Sequence, residues 1–240
     1  MSARLNLAGI VPDKRTSSRE IGILNRPLAL FLMLFSATSL ATISVSAHPH
    51  VFAQAKMSLV LNANGTVEKL THHWVFDDLF TSTVLVEFDK NQDLKLDADE
   101  LKEVQKTIVD SLGDYNYFQT IQNNGSDVKM ARPPNLTASI DDQTLVITFE
   151  SKPEKILPLH GSVSFGIYDP TFYTAIDFVE DGDIEAPALP AGCTAKVVRP
   201  DPEEAMAQNQ KNLTDAFFAT TDPANLSQLV ATRLEVNCPP

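Results

Sequence analysis

The chain has 240 residues, with 19 lysines and arginines against 31 aspartates and glutamates, and a formal net charge of −12. This acidity argues against binding to nucleic acid or to an anionic membrane, and it suits the handling of cations. The sequence contains no nucleophile elbow, phosphate-binding glycine loop or H-E-x-x-H motif, so it does not indicate an enzyme.

Residues 1–47 have the pattern of a secretory signal peptide. Five basic residues among the first 26 precede the apolar block PLALFLMLFSATSLATISVSA, which ends in small residues at Val45-Ser46-Ala47. A basic region, a short apolar core and an A-x-A-like end are typical of a cleaved export signal. An uncleaved membrane anchor is the alternative. Cleavage after Ala47 leaves residues 48–240, which we expect to form a single periplasmic domain.

The predicted new terminus, HPHVF, places His48 and His50 on either side of Pro49. The α-amine and imidazole of His48 together could chelate nickel, zinc, cobalt or copper. A square-planar amino-terminal site is excluded because Pro49 lacks the backbone N–H that such a site deprotonates. His50 would share a strand face with His48 and is a candidate further ligand. An ordinary strand start is the competing interpretation.

Alternating residues on both sides of Asn64-Gly65 predict a β-hairpin. If the loop spans residues 62–65, paired positions add up to about 127, so His50 faces Asp77 and makes that carboxylate a candidate ligand. The same register puts His73 opposite Gln54. Neighbouring strand residues point to opposite faces, so we expect one of His72 and His73 in the core and the other exposed.

Helical spacing predicts two helices at residues 77–88 and 98–113. Between them lies DKNQDLKLDADE, residues 89–100, which matches the twelve-residue EF-hand loop. Six positions would offer oxygen ligands to calcium: Asp89, Asn91, Asp93, the backbone carbonyl of Lys95, Asp97 through a water, and Glu100.

Leu94 stands where this loop prefers a glycine in the left-handed conformation. A branched residue costs ~1–2 kcal/mol there, which predicts a weak or degenerate calcium site. The alternative is a solvated acidic loop in which Asp97 and Glu100 only cap the second helix.

Short alternating segments separated by Gly, Pro, Asn and Asp continue the chain, and they favour an antiparallel sheet or sandwich. They are 116–122, 127–130, 135–140, 144–151, 162–168 and 172–179. A helix at 202–219 and a last strand at 229–237 complete the prediction. Cys193 and Cys238 are expected to form a disulfide in an oxidising compartment. The predicted fold is α+β, mainly antiparallel β and sandwich-like, with an EF-hand-like helix–loop–helix inserted at residues 77–113.

Several motifs occur in an order that resembles a known family. They are HPHVF, HHWVFDDLF, DKNQDLKLDADEL, DYNYF, YDPTFYTAIDF, and AGC followed by RPDP. Together they resemble the bacterial domain-of-unknown-function 1007 proteins over roughly residues 48–202. Members of that family are described as periplasmic components of an uncharacterised ABC-type transport system, often linked with nickel, cobalt or zinc permeases. The resemblance therefore implies accessory work in metal transport, with an inner-membrane permease as partner. Leu94 departs from the glycine common in the family's loop.

Three functions are consistent with these features. The first is a periplasmic metal-binding accessory protein of a nickel, cobalt or zinc transport system. The second is a calcium-binding interaction module of the cell envelope with no transition-metal role. The third is the solute-binding component of an ABC importer, which the small size of the domain disfavours because such proteins usually have two lobes.

Overall fold

A computed structural model describes residues 50–201, Glu204 and residues 230–239. All of these residues belong to one compact unit. His48, the predicted cleavage point after Ala47 and nearly all of the helix expected at 202–219 lie outside the described residues.

The first two strands form the predicted hairpin, but in a different register. β1 spans Val51–Leu61 and β2 spans Val67–Phe76, and buried residues alternate along much of both strands. The turn is one residue longer than predicted, because it extends from Asn62 to Thr66, whose backbones are hydrogen-bonded at 3.0 Å. A bulge in the last two residues of β1 shifts the register once more.

The prediction that His50 faces Asp77 is wrong for this reason. The Asp77 N–H donates to the Phe52 carbonyl at 2.9 Å, so Asp77 lies opposite Phe52. In the same way His73 lies opposite Lys56, two residues from its predicted partner. The expected contrast between the neighbouring histidines is confirmed, since His72 is buried and His73 is exposed.

Apart from two short 3-10 helices at Gly113–Phe118 and Asp181–Asp183, the described residues include two α-helices and nine further strands. They are α1 Asp78–Phe88, α2 Ala98–Leu112, β3 Gln119–Asn123, β4 Ser126–Asp127, β5 Leu136–Asp141, β6 Thr144–Ser151, β7 Gly161–Ile167, β8 Thr174–Asp177, β9 Ile184–Glu185, β10 Thr194–Val198 and β11 Arg233–Cys238. No helix in these described ranges is long and apolar enough to cross a membrane.

Two sheets make up most of the fold. The first has the order β5-β6-β2-β1-β8, with β9 also paired to β1, and the second has the order β10-β11-β7-β3-β4. The pairs are antiparallel apart from β1 with β8 and β1 with β9, which are parallel. The fold is therefore α+β and mainly antiparallel, as predicted, whereas β9 and β10 were not predicted.

One hydrophobic core joins the two sheets and the two helices. Its largest buried side chains include Trp74 of β2, Phe165 of β7 and Val104 of α2. The helix α1 is fixed to β6 by the Leu145 N–H, which donates to the Thr81 hydroxyl at 2.9 Å. Because both sheets turn apolar faces to this core, the architecture is sandwich-like.

A buried hydrogen-bond chain runs from the first sheet to the second. His72 Nε2 of β2 lies 2.9 Å from Ser151 Oγ of β6, and that hydroxyl donates to Gln119 Oε1 of β3 at 2.6 Å. All three side chains are at most 3% exposed. The His72 ring also stacks on Phe149, with 4.3 Å between centroids. Burial lowers the pKa of His72 to about 3, and the contact with Gln119 offsets only part of this effect.

A disulfide between Cys193 and Cys238 is present, as predicted. Cys193 precedes β10 and Cys238 ends β11, so the bond lies at the end of the β10–β11 pair. It closes a sequence separation of 45 residues, which stabilises the fold by about 3–4 kcal/mol in the chain-entropy model.

Acid should destabilise the protein through His72. Below pH 6.5 an unfolded chain binds a proton at this histidine, but the folded chain resists protonation down to about pH 3. Within that window the free energy of unfolding should fall by up to about 1.4 kcal/mol per pH unit from this group alone. Denaturant titrations at several pH values measure this slope.

The matched control is the neighbouring exposed histidine. We expect His72→Gln to flatten the slope between pH 6.5 and 5, and His73→Gln to leave it at the wild-type value. An unchanged slope in His72→Gln would contradict the assignment.

Candidate metal sites

Both helices that flank the acidic loop begin with a capping side chain, Asp77 at the far end of α1 and Asp97 at the end of the loop itself. Asp77 begins α1, since its Oδ1 accepts the Phe80 N–H at 2.8 Å. Asp97 begins α2, where its Oδ1 accepts the N–H groups of Asp99 and Glu100 at 2.8 and 3.0 Å. The cap that the sequence predicts at Asp97 and Glu100 is thus confirmed as a capping box.

Glu100 fastens the two ends of the loop to each other. Its Oε1 accepts the Lys90 N–H at 2.7 Å, and its Oε2 accepts the Asp97 N–H at 2.8 Å. Only 4% of Glu100 is exposed. A buried carboxylate needs such partners, because desolvation without them is costly. Glu100 therefore fixes the loop's span as well as the start of α2.

The acidic side chains inside the loop bond to the loop's own backbone. Asp89 accepts from the Asp93 N–H at 3.2 Å and from the Leu94 N–H at 2.7 Å, while Asn91 Oδ1 accepts from Asp93 at 2.9 Å. Asp93 in turn accepts the Lys95 N–H at 2.9 Å. These predicted ligand side chains therefore bend the loop backbone by accepting its N–H groups, as short polar side chains do in Asx turns.

Leu94 has the left-handed backbone that the sequence comparison with an EF-hand loop anticipates. Its φ is +64°, and its side chain is 83% exposed. Gln92 is also left-handed, with φ +61°. Leu96, two residues later, is half-buried and packs against the core. The loop thus keeps its shape at the expense of unfavourable backbone conformations.

The donor set suits a hard cation, but the side chains are not gathered around one point. Carboxylate and amide oxygens are the ligands that calcium prefers, and an oxygen that accepts one N–H retains a lone pair. Within residues 50–201 and 230–239, no three His, Cys, Asp or Glu side chains are close enough to hold a metal ion. Binding would require the loop carboxylates to turn inward.

The start of β1 contains the second candidate. His50 is exposed, its N–H donates to the Tyr173 carbonyl at 2.9 Å, and the two rings are 5.1 Å apart. Asp77 has two other partners, because its Oδ2 accepts the Phe52 N–H at 2.7 Å and its Oδ1 caps α1.

Tyr173 is the neighbour of His50 that sequence reasoning missed. The turn before it is structural: Asp169 is buried and accepts the N–H groups of Thr171 and Thr174, each at 2.8 Å. The parallel pairing of β8 with β1 brings this turn to His50. That pairing joins segments more than 120 positions apart in sequence, and no local pattern predicts it.

Comparison with known proteins identifies the family. Residues 32–238 match the family described as "Protein of unknown function (DUF1007)", so the chain belongs to that family. An uncharacterized protein of Haemophilus influenzae is 25% identical over 190 residues, covering 72% of this chain and 86% of its own length.

A glycine at position 94 should stabilise the protein. Leu94→Gly removes the steric cost of the left-handed backbone and loses little packing, because the side chain is exposed. We expect the free energy of unfolding to rise by about 1 kcal/mol in a denaturant titration. Lys95→Gly, next to it and outside the set of left-handed residues, is the control and should destabilise. The account of the loop is wrong if Leu94→Gly also destabilises.

Proposed function

We propose that this protein is an exported, non-enzymatic accessory protein that binds a transition metal for an inner-membrane nickel, cobalt or zinc permease. The family resemblance supports this role, and so do the acidic charge and the histidine-rich start after a predicted signal peptide. The disulfide is consistent with a periplasmic location. The observation that carries the proposal is the exposed imidazole of His50 at the beginning of β1.

His50 is positioned by the fold although it lies at the edge of the described chain. Its backbone hydrogen bond and ring contact with Tyr173 restrict the imidazole, which lowers the entropic cost of binding a metal. Cleavage after Ala47 would put the amine and imidazole of His48 two residues away. Three nitrogen donors of this kind suit nickel, copper or zinc.

The ligand set in this proposal rests on His48 and His50. Asp77 was a predicted third ligand, but its carboxylate oxygens accept the N–H groups of Phe52 and Phe80. Moving Asp77 onto a metal would uncap α1, which costs about 1 kcal/mol. The protein would hand its metal to a permease, or receive it, through an open coordination position.

The proposal predicts the start of the exported protein and its metal affinity. The intact mass should correspond to a chain that begins at His48. In calorimetric titrations with nickel, zinc and copper, His50→Ala should bind at least about tenfold more weakly than wild type. A mature chain that starts elsewhere would contradict the proposal, and so would a metal affinity of the His48→Ala/His50→Ala variant equal to that of the wild type. His73→Ala, exposed and opposite Lys56, is the matched control and should bind like wild type.

A second candidate function is a calcium-dependent interaction module of the cell envelope. The loop geometry favours it, because Asp89, Asn91 and Asp93 already curl the chain and Leu94 adopts the required left-handed turn. A single extracellular loop of this kind binds calcium near ~10⁻⁴–10⁻³ M, and Leu94 would weaken it further. Calcium would then act as a structural element that stiffens the α1–α2 unit.

Calcium at ~10 mM should raise the free energy of unfolding by about 1 kcal/mol. Asp93→Asn removes a charged ligand without touching either helix cap, and should abolish most of this rise. Asp99→Asn removes an equal charge from the exposed face of α2 and should keep it. Thermal melts with calcium and with EDTA make the comparison. The same rise in Asp93→Asn, or none in the wild type, excludes a calcium site in this loop.

A further inference from the structure

A cleft of about 640 Å³ opens beside β3. Its volume falls within the range of sites for small molecules, roughly 300–1,000 Å³. The residues that line it come from the segment after α2, from β3, from β4 and the chain after it, from the segment after β6, and from the turn before β8. Neither His50 nor the loop of residues 89–100 contributes to its wall.

A strained turn borders the cleft, which its first residue, Asn116, lines. Asn116, Tyr117 and Phe118 are consecutive left-handed residues, with φ of +52°, +56° and +58°. Asparagine tolerates this conformation, but the two aromatic residues do so at a cost of ~1–2 kcal/mol each. The Asn116 side chain holds the turn by donating to the carbonyls of Gln119 and Val128 and accepting the Met130 N–H. Strain of this kind is concentrated at functional sites.

Tyr168 contributes to the cleft wall, but its hydroxyl is shielded from the open space. Its ring packs on Phe172 at 5.5 Å, and its N–H donates to the Phe118 carbonyl at 2.7 Å. Its hydroxyl is buried and has no hydrogen-bond partner among the described residues. Burial and the nearby Asp169 carboxylate raise the pKa of Tyr168.

The charges around the cleft favour a cation. Its lining includes three carboxylates, from Asp114, Asp127 and Glu154, against the single ammonium of Lys129. The Glu154 N–H donates to the Lys129 carbonyl at 2.9 Å, so the one cation of the lining stands beside an acidic residue.

Apolar and aromatic side chains complete the lining. Ile121 and Met130 form the largely buried floor, Val128 is half-buried, and Tyr115 is 43% exposed. An aromatic face attracts a positively charged group that lies over it. An anion would meet an excess of carboxylates here, whereas a bare metal ion would leave the apolar surface unused.

We propose that this cleft binds a small organic cation that carries an apolar body, with the ammonium group near the carboxylates and the exposed ring of Tyr115. This site goes beyond the metal-binding role and does not depend on it. It would give the protein a second cargo or a ligand that regulates its partner contacts.

Two probes of similar shape and opposite charge test the proposal on the exported protein in EDTA. Phenethylammonium and 3-phenylpropionate share a phenyl ring and an ethyl linker. Titrations followed by calorimetry and by ligand-observed NMR should give saturable binding of the cation, and binding of the anion at least about tenfold weaker. Failure of the cation to saturate, or equal affinity for the two probes, would overturn the proposal.

Two variants locate the site. Tyr115→Leu removes the exposed aromatic face and should weaken the cation several-fold. Glu154→Gln should also weaken binding, and Asp99→Asn, with the same charge change on α2, should not. Wild-type affinity in both Tyr115→Leu and Glu154→Gln contradicts the site. His50→Ala should bind the cation normally, which separates this test from that of the metal proposal.

Discussion

The two sheets are tied to each other by one buried polar interaction. His72, Ser151 and Gln119 form a hydrogen-bond chain from the middle of one sheet to a strand of the other. Each side chain would be more costly to bury without these bonds, although His72 Nδ1 and Gln119 Nε2 have no hydrogen-bond partner among the described residues. The apolar core supplies most of the stability, whereas this chain favours one relative placement of the sheets. The positions of β1 and β3 follow from that placement.

Both candidate sites depend on the framework so defined. β1 pairs with β2 on one side and with β8 on the other, and the β8 pairing brings Tyr173 to His50. The helices α1 and α2 lie against the first sheet, and the acidic loop between them leads into the Asp97 cap of α2. Because the strands on both sides of β1 hold the start of that strand, His50 needs little ordering to bind a metal, whereas the loop carboxylates would have to turn inward.

Local sequence patterns predicted most of the helices and strands correctly, but they did not predict which strands pair or in which register. The alternation of residues along the strands and the Asn64-Gly65 turn were sufficient to predict that the hairpin exists. Helical spacing, together with the Asp97 and Glu100 cap, was sufficient to predict α2. The alternation also separated buried His72 from exposed His73. The register of the hairpin escaped prediction because a longer turn and a bulge each moved it by one residue. A one-residue error of this kind changes which side chains face each other, so the proposed His50–Asp77 pair failed.

The prediction of a strand that begins at residue 116 was wrong for an energetic reason. Tyr-rich alternation predicts a strand there, and β3 begins only at Gln119. The left-handed turn is unfavourable locally, but it buries Tyr117 and lets Phe118 stack near Trp74, with centroids 6.5 Å apart. The packing of these two aromatic rings offsets the cost of the left-handed backbone. Because their packing partners are distant in sequence, no local pattern shows this gain.

The central claim is that a transition metal is bound by nitrogen ligands at the start of the mature chain. X-ray absorption spectroscopy of the exported protein loaded with one equivalent of nickel addresses it most directly. The account predicts a coordination shell with nitrogen donors and the outer-shell scattering of two imidazole rings, one of which disappears in His50→Ala. A shell of oxygen ligands alone, unchanged in that variant, would contradict it.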